Sequence, residues 1–470
     1  MLLKRTLQYL PAQLIAPAAQ LAALLFWAHL LPPAKVAVIT MLVSIQDGAY
    51  ILFFQWWSHY ILRNGQASRI RMRNINESES VALKFCAGFL TIFVAVFSFL
   101  YLPHESFATP YIGIGFVLTR ALATYRAEGA RAAGRVRIYT VVQIGGSLGG
   151  LIVALIAVHY WPYADTVLMV FTGINLILFF IARSDVVLKT AGKFRWKVLL
   201  FRAINYGGAA AVATVCTFGV MNFQRFAAQG LWDFSTAGIF SVGYGIGSRI
   251  ISVAAMMVSA AGFPLVIKRL HSEGKVGAID QISQNSLLLL FLLLPSLVIC
   301  YYLTPLMVKT MLPVSYQSIG MQILPLAALL ATVRFMRSHS VDQIFLTFDK
   351  TMQLAWLGLI ELLFAIGSVG VFHFFGFGVQ ALVLGPIIVC VITTLGSFFW
   401  AIKCQDMNPR WGDLFGLFFA ACALTMAYEL MGVHTSVYLA VVQAGLIFIL
   451  YVAVALVACP TLKKRIWRKS

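Results

Sequence analysis

Long apolar runs separated by short polar connections make up almost the whole chain. A helix of about 20 apolar residues crosses the hydrocarbon core of a bilayer, which is roughly 30 Å thick. Most of the runs have about this length, so the pattern predicts an all-α polytopic membrane protein with about 14 transmembrane helices. The predicted spans are 10–31, 36–62, 81–102, 110–127, 138–160, 163–182, 203–224, 234–264, 284–306, 319–346, 351–373, 378–402, 413–431 and 436–459.

The composition excludes a soluble globular protein. Hydrophobic residues make up 61% of the chain and charged residues only 11%. The longest polar stretches, near 63–80 and 183–202, are too short to bury a core, so no soluble domain is predicted. The seven cysteines are scattered without a metal-ligand spacing. They predict neither a disulfide nor a metal site.

Positive charge is concentrated in every second connection between the spans. The opposite connections hold only Lys35, Arg225 and Lys309 out of 35 lysines and arginines. By the positive-inside rule, this asymmetry predicts that both termini are cytoplasmic. The net charge of +19 is then explained by loops that fix the orientation and contact anionic lipid headgroups. Membrane lipids are therefore expected partners, and nucleic acid is not.

The longest basic connection, from Arg183 to Arg202, divides the predicted spans into two groups of six. We predict an N-terminal six-helix lobe at 1–190 and a C-terminal six-helix lobe at 191–405. An extra helix pair with a basic tail follows at 406–470. Six spans return the chain to its starting side, so repeated lobes would share one orientation in the membrane. Gly243, Gly245 and Gly247 indicate either close helix packing or a flexible point in a moving helix.

Four arginines fall inside predicted spans, where burying a charge is costly. Arg334 and Arg337 are three residues apart and so share one helix face. They could pair with carboxylates, or they could line a hydrated cavity and hold an anion. Arginine suits phosphate because its planar fork forms bidentate, charge-assisted hydrogen bonds. Arg120 and Arg249 are the other two candidates for a cavity that binds pyrophosphate.

Three carboxylates are candidates for coupling or gating. Asp47 lies in the middle of the second predicted span, and a rough alignment of the lobes places it opposite Arg249. A cross-lobe ion pair is therefore possible, either permanent or broken during a conformational change. Glu361 could bind a proton or a sodium ion, or it could form a hydrogen bond to a neighbouring helix. Asp342 follows the arginine pair and is a third candidate.

Several classes of enzyme lack support in the sequence. There is no GxxxxGK[ST], HExxH or GxSxG motif, so ATP-driven transport and these hydrolytic chemistries are not predicted. We expect no catalytic residue, no metal and no cofactor beyond a coupling ion. A secondary transporter remains the favoured class.

Three segments resemble polysaccharide flippases of the MOP superfamily, the type that serves O-antigen and exopolysaccharide synthesis. The first runs from Leu30-Leu31-Pro32-Pro33 to Ile61-Leu62-Arg63. The second, from Asn222 to Lys268-Arg269, contains Gln224-Arg225 and Val242-Gly243-Tyr244, and Pro264 before its basic end. The third runs from Leu324-Pro325 to Asp349-Lys350. The chain departs from the family pattern at Val36-Ala37, where Phe-Gly is usual, and at Gln224-Arg225, where Asp-Arg is usual.

The resemblance implies that the protein translocates an isoprenoid-pyrophosphate-linked oligosaccharide across a bacterial inner membrane by alternating access. A polysaccharide polymerase and chain-length machinery would then be partners. One alternative is a MATE-like exporter of small cations or drugs, which should favour acidic cavity residues. A membrane glycan polymerase is a second alternative, and the predicted lack of a large external loop argues against it. A non-transporting scaffold for polysaccharide assembly is a third.

Overall fold

The structure is a computed structural model that describes residues 2–58, 69–102, 107–132, 135–182, 196–348 and 350–460. All regular secondary structure in these residues is helical. We number the helices in chain order. They are α1 Leu2–Leu30, α2 Pro33–Ser58, α3 Arg69–Tyr101, α4 Thr109–Ala132, α5 Val136–Tyr160, α6 Ala164–Ile181, α7 Trp196–Leu231, α8 Phe234–Met311, α9 Val314–Ser338, α10 Asp342–Thr347, α11 Thr351–Phe374, α12 Ala381–Gln405, α13 Trp411–Met431 and α14 Val437–Ala458.

The helices support the prediction of a multi-pass membrane protein. Within the described residues, eleven helical segments are long and apolar enough to cross a membrane by length and composition. Each apolar run predicted from the sequence overlaps one of the helices. The count of fourteen spans and the cytoplasmic position of both termini stay predictions.

Local chemistry explains several helix ends. Pro33 starts α2, where a missing backbone N–H costs nothing. Asp233 caps α8, because its Oδ1 accepts the backbone N–H of Thr236 at 2.6 Å. This hydrogen bond from Thr236 lowers the pKa of the Asp233 carboxyl. Gly432 ends α13 with a φ of 66°, which favours glycine.

The range α8 joins two helices across a kink at Gly274. The sequence places a basic connection between spans at 234–264 and 284–306, and the kink lies within that connection. Gly274 has φ 71° and ψ −159°, angles that are essentially restricted to glycine. Nδ2 of Asn285 donates to the carbonyl oxygen of Gly262 at 3.1 Å, so the two helices lie side by side and the chain reverses within the connection that the sequence predicts.

Two compact units are present. The first comprises Met1–Ser241 with Thr351–Leu362. In this unit α4 packs against α3 and α6, α1 packs along α5, and α2 contacts α4, α6 and α7. Since α7 packs on α2 and α3, it belongs to this unit, although the sequence predicts it as the first helix of the C-terminal lobe. The predicted lobe boundaries at 190 and 405 are not tested by this division and stay predictions.

The second unit comprises Val242–Lys350 and Leu363–Ser470. In this unit α9 packs on α12, and α13 packs on α14. Leu287 and Phe291 of α8 join a buried apolar cluster with residues of α13 and α14, so the last helix pair packs against α8. The cluster also contains Leu417, Ala420, Ala421, Leu424, Tyr428, Ile447, Tyr451, Ala455 and Cys459.

Glycines allow α8 and α9 to approach closely within the second unit. A β-carbon on Gly243 would lie 3.3 Å from Cα of Gly320, and Gly247 is tighter still against α9. Gly243 and Gly247 are four residues apart and so share one face of α8. Of the two interpretations that the sequence left open, close packing therefore describes these two glycines.

Candidate functional site

A polar stripe interrupts the apolar surface of α2. Ser44 and Asp47 are three residues apart and therefore lie on one side of the helix. Gly48 follows directly, and a β-carbon at that position would lie 3.1 Å from the Phe218 ring of α7. A π-helical turn, Ile51–Gln55, begins one turn later. Such turns are frequent at functional sites.

Arg120 of α4 lies on one side of this stripe. Its Nη2 is 3.7 Å from Oδ1 of Asp47, and its guanidinium is 5.7 Å from the centre of the Phe116 ring. The Arg120 side chain is 20% exposed and the Asp47 side chain is 46% exposed. The two charges are therefore close and still accessible, so an external ion could compete for either of them.

Arg225 of α7 also contacts the stripe. Its Nη1 donates to Oγ of Ser44 at 3.0 Å and also to Oδ1 of Asn222. The sequence placed Arg225 in a connection after a span ending at 224. Helix α7 continues to Leu231, so Arg225 lies within the helix. The spacing of three between Asn222 and Arg225 was the available signal, since it places both on one helix face.

Arg120 and Arg225 thus approach adjacent positions of one helix. They come from α4 and α7 and contact residues that are three apart on α2. The stripe, defined by Ser44, Asp47, Arg120, Asn222 and Arg225, contains two guanidinium groups, which can form charge-assisted hydrogen bonds to an anion.

Arg334 and Arg337 have a different environment in the second unit. Both are buried, and Nε of Arg337 lies 3.2 Å and 3.4 Å from the two carboxylate oxygens of Asp342. Between Arg337 and Asp342 in the sequence lies Ser340, whose Oγ accepts a hydrogen bond from Oγ of Ser286 on α8 at 2.8 Å. For Arg337 the structure therefore shows pairing with a carboxylate, which was one of the two possibilities left open by the sequence.

Arg249 and Glu361 complete the predicted set. Arg249 is half-buried in the second unit, and its pairing with Asp47 stays a prediction. Glu361 of α11 is fully buried. It lies between Gly358, which faces Cys216 of α7, and Leu362, which faces Gly219 of the same helix. Its role in coupling stays a prediction.

In the part of the chain that the structure describes, no group of three or more His, Cys, Asp or Glu side chains could hold a metal ion.

Comparisons with solved structures show the fold. The chain is similar to the lipid II flippase MurJ in an inward closed conformation, with 12% identity, a TM-score of 0.68, and coverage of 97% of this chain and 98% of that one. It is also similar to a multidrug resistance MATE family transporter of the MOP superfamily in an inward-facing conformation. The identity there is 13%, the TM-score is 0.63, and the match covers 85% of this chain and 98% of that one.

A third similar structure is a MOP superfamily transporter from Pyrococcus furiosus. It is 12% identical, has a TM-score of 0.56, and matches over 86% of this chain and 96% of that one. The reverse polarity of that transporter's binding pocket suggests a different function for it. No known protein family matches this sequence, and no curated protein matches it. At these identities the likeness shows only that this chain shares the fold of these structures.

Proposed function

We propose that this protein is a flippase that moves an isoprenoid-pyrophosphate-linked oligosaccharide across the bacterial inner membrane for surface polysaccharide synthesis. It acts as a secondary transporter rather than as an enzyme. The observation that carries the proposal is the presence of two arginines, the partly exposed Arg120 and the part-buried Arg225, beside the polar stripe of α2. The likeness to the lipid II flippase over almost the whole chain supports it.

The electrostatics of the stripe favour a pyrophosphate headgroup. A charged side chain that faces lipid in a span is costly, so an accessible Asp47–Arg120 pair fits a hydrated cavity. A pyrophosphate carries two linked phosphates, and each arginine can form charge-assisted hydrogen bonds to one of them. Arg225 thereby joins Arg120 as a proposed ligand. Arg249, Arg334 and Arg337 remain proposed members of the wider site.

The proposed mechanism is alternating access. The headgroup binds from the cytoplasmic side, the glycan occupies the hydrated cavity, and the isoprenoid tail stays in the bilayer. Return of the empty transporter is driven by a proton or a sodium ion, for which Asp47 and Glu361 are the proposed carriers. A polysaccharide polymerase and chain-length machinery would receive the product.

A MATE-like cation exporter is the second candidate. The structural likeness to MATE transporters and the accessible carboxylate of Asp47 favour it. A cationic drug would, however, have to bind beside the guanidinium groups of Arg120 and Arg225. Like charges close together in a site of low dielectric constant repel strongly. These two guanidinium groups therefore favour the anionic substrate.

The first test is deletion of the gene in its host, with lipid-linked oligosaccharide and surface polysaccharide quantified together. The proposal predicts accumulation of complete lipid-linked units and loss of surface polymer. Complementation with an Arg120→Gln, Arg225→Gln double variant should fail, whereas Lys309→Gln should succeed. Lys309 is an exposed residue near the end of α8. Its substitution removes one positive charge at a position far from the stripe in the sequence.

Two outcomes would overturn the proposal. Unchanged lipid-linked units and surface polymer after deletion, together with loss of drug resistance, would favour the cation exporter. Full complementation by the double arginine variant at wild-type protein levels would remove Arg120 and Arg225 from the mechanism.

A further inference from the structure

Glu128 lies on α4 just beyond the predicted span 110–127, eight residues after Arg120. This spacing corresponds to about 12 Å along the helix axis. Both residues act on α2. Arg120 contacts Asp47, and the Glu128 carboxylate acts electrostatically on the phenol of Tyr50, which follows Asp47 by one helical turn. A carboxylate therefore lies along the contact between α2 and α4, at the end of α4 that the charge pattern predicts to be cytoplasmic.

Arg131 compensates for the burial of Glu128 only in part. Its Nη1 lies 3.4 Å from Oε2 of Glu128, and the two side chains are 44% and 20% exposed. The Arg131 guanidinium also lies 5.8 Å from the centre of the Tyr139 ring on α5. An ion pair with one exposed partner contributes little, whereas a carboxylate that is removed from water loses its hydration. Burial accordingly raises the pKa of the Glu128 carboxyl, and Arg131 opposes this rise.

The titratable groups around Glu128 come from two helices. Arg131 belongs to α4 itself and Tyr50 to α2, where the Tyr50 phenol also lies 3.4 Å from Oγ of Ser58. Helices α3, α5 and α6 pack on α4 as well. In the part of the chain that the structure describes, the titratable groups that interact with Glu128 are Arg131 and Tyr50. Arg131 is thus the described cation that opposes protonation of Glu128.

We propose that Glu128 is a proton-binding site whose protonation is linked to the binding of an anion at the stripe of α2. This inference rests on the proposed function and deepens it, because it assigns the coupling ion and a residue that binds it. The carboxylate accepts a proton from cytoplasmic water and holds it on a carboxyl oxygen. Its negative charge disappears while Arg120 and Arg131 keep their positive charges, so the stripe attracts an anion more strongly.

The size of this linkage follows from Coulomb's law. A unit charge about 12 Å from a bound anion, at an effective dielectric constant of about 20, changes the binding constant by about tenfold. The linkage is reciprocal, because an anion at Arg120 raises the proton affinity of Glu128 by the same factor. Binding of the anion should therefore be accompanied by uptake of protons.

The first test examines the proton site without a substrate. It measures thermal unfolding of the purified full chain in detergent from about pH 4 to about pH 8. A carboxyl with a raised folded pKa stabilises fully below its unfolded value of about 4.3, and this contribution is lost as pH rises through the folded pKa. Glu128→Gln removes the loss, so its midpoint should rise relative to the wild type with increasing pH. Glu273→Gln is the control and should parallel the wild type, because Glu273 also pairs with an arginine of its own helix but is 53% exposed.

The second test measures the linkage with farnesyl diphosphate as the anion. Calorimetric titration in buffers of different ionisation enthalpy counts the protons that are taken up on binding. The wild type and Glu273→Gln should take up more protons than Glu128→Gln, since the ligand itself titrates equally in all three. At about pH 8, Glu128→Gln should bind about tenfold more tightly than the wild type. Arg131→Gln removes the opposing cation and should move the proton uptake to higher pH.

The outcomes separate this inference from the proposed function. If Glu128→Gln has the proton uptake and affinity of the wild type at each pH, the proton site is refuted while the flippase proposal stands. If Glu128→Gln does not fold, Arg131→Gln decides, and an unchanged pH of uptake refutes the site. If the wild type does not bind farnesyl diphosphate, or if Arg120→Gln binds it as the wild type does, the proposed function fails as well.

Discussion

Gly247 of α8 and Leu324 of α9 lie so close that a β-carbon on Gly247 would be 2.2 Å from the carbonyl oxygen of Leu324. Backbone cannot move away as a flexible side chain can, so Gly247→Ala should separate the two helices. We expect a loss of about 2 kcal/mol or more in unfolding free energy, in the range of overpacked cores. Gly367→Ala is the control, because nothing lies within 4 Å of its added β-carbon. Thermal unfolding of both variants in one detergent checks the prediction, and equal midpoints would contradict it.

The buried Arg337–Asp342 pair and the accessible Arg120–Asp47 pair should differ in their contribution to stability. Asp342→Asn leaves the buried Arg337 guanidinium without its carboxylate partner, and we expect destabilisation by about 3 kcal/mol. Asp47→Asn should change stability by less than about 1 kcal/mol, because that pair is accessible. Denaturant titration of the two variants provides the comparison. Equal effects would show that the two pairs do not differ in the way the structure indicates.

Asp280 connects the bend of α8 to the segment before α13. Its carboxylate accepts from Arg269 at 2.8 Å and from Arg410 at 2.6 Å, while Ser283 donates to the carbonyl oxygen of Asn408. Asp280→Asn should increase amide hydrogen exchange at 406–410, with a cost of about 1 kcal/mol or less that shrinks at high salt. Glu273→Gln removes a more exposed partner of Arg269 and should leave exchange at 406–410 unchanged. Equal exchange at 406–410 in both variants would show that Asp280 does not hold this segment in place.

The Asp233 cap gives the start of α8 a dependence on pH. The hydrogen bond from Thr236 depresses the folded pKa of Asp233, so its stabilisation is present above the unfolded value of about 3.9. It is lost as pH falls through the depressed folded pKa. Asp233→Asn keeps a capping oxygen without the titration and should remove this part of the pH dependence. Hydrogen exchange in the first turn of α8, measured from pH 6 down to about pH 3, checks this prediction. If Asp233→Asn has the same pH profile as the wild type, the cap is not the cause.

Hydropathy located the helices because burying apolar runs in a bilayer is a strong and local constraint. It could not locate the contacts that hold the site together. Arg225 was assigned to a connection because Asn222, Gln224 and Arg225 lower the local hydropathy, although they continue α7. Asp47 has Arg120 as its partner within the first unit. This partner lies 73 residues away in the sequence, and no local pattern encodes which helix packs beside α2.

The π turn at Ile51–Gln55 sets the angle between the face of α2 that carries Asp47 and the residues after the turn. Each residue of an α-helix advances by about 100°, so one extra residue in a turn rotates everything before it relative to everything after it. Deleting one residue from this turn would leave both helical halves intact. It would also rotate Ser44 and Asp47 by about a quarter turn relative to Trp57. The residue count of this turn therefore decides which side chains after Gln55 share a face of α2 with Ser44 and Asp47.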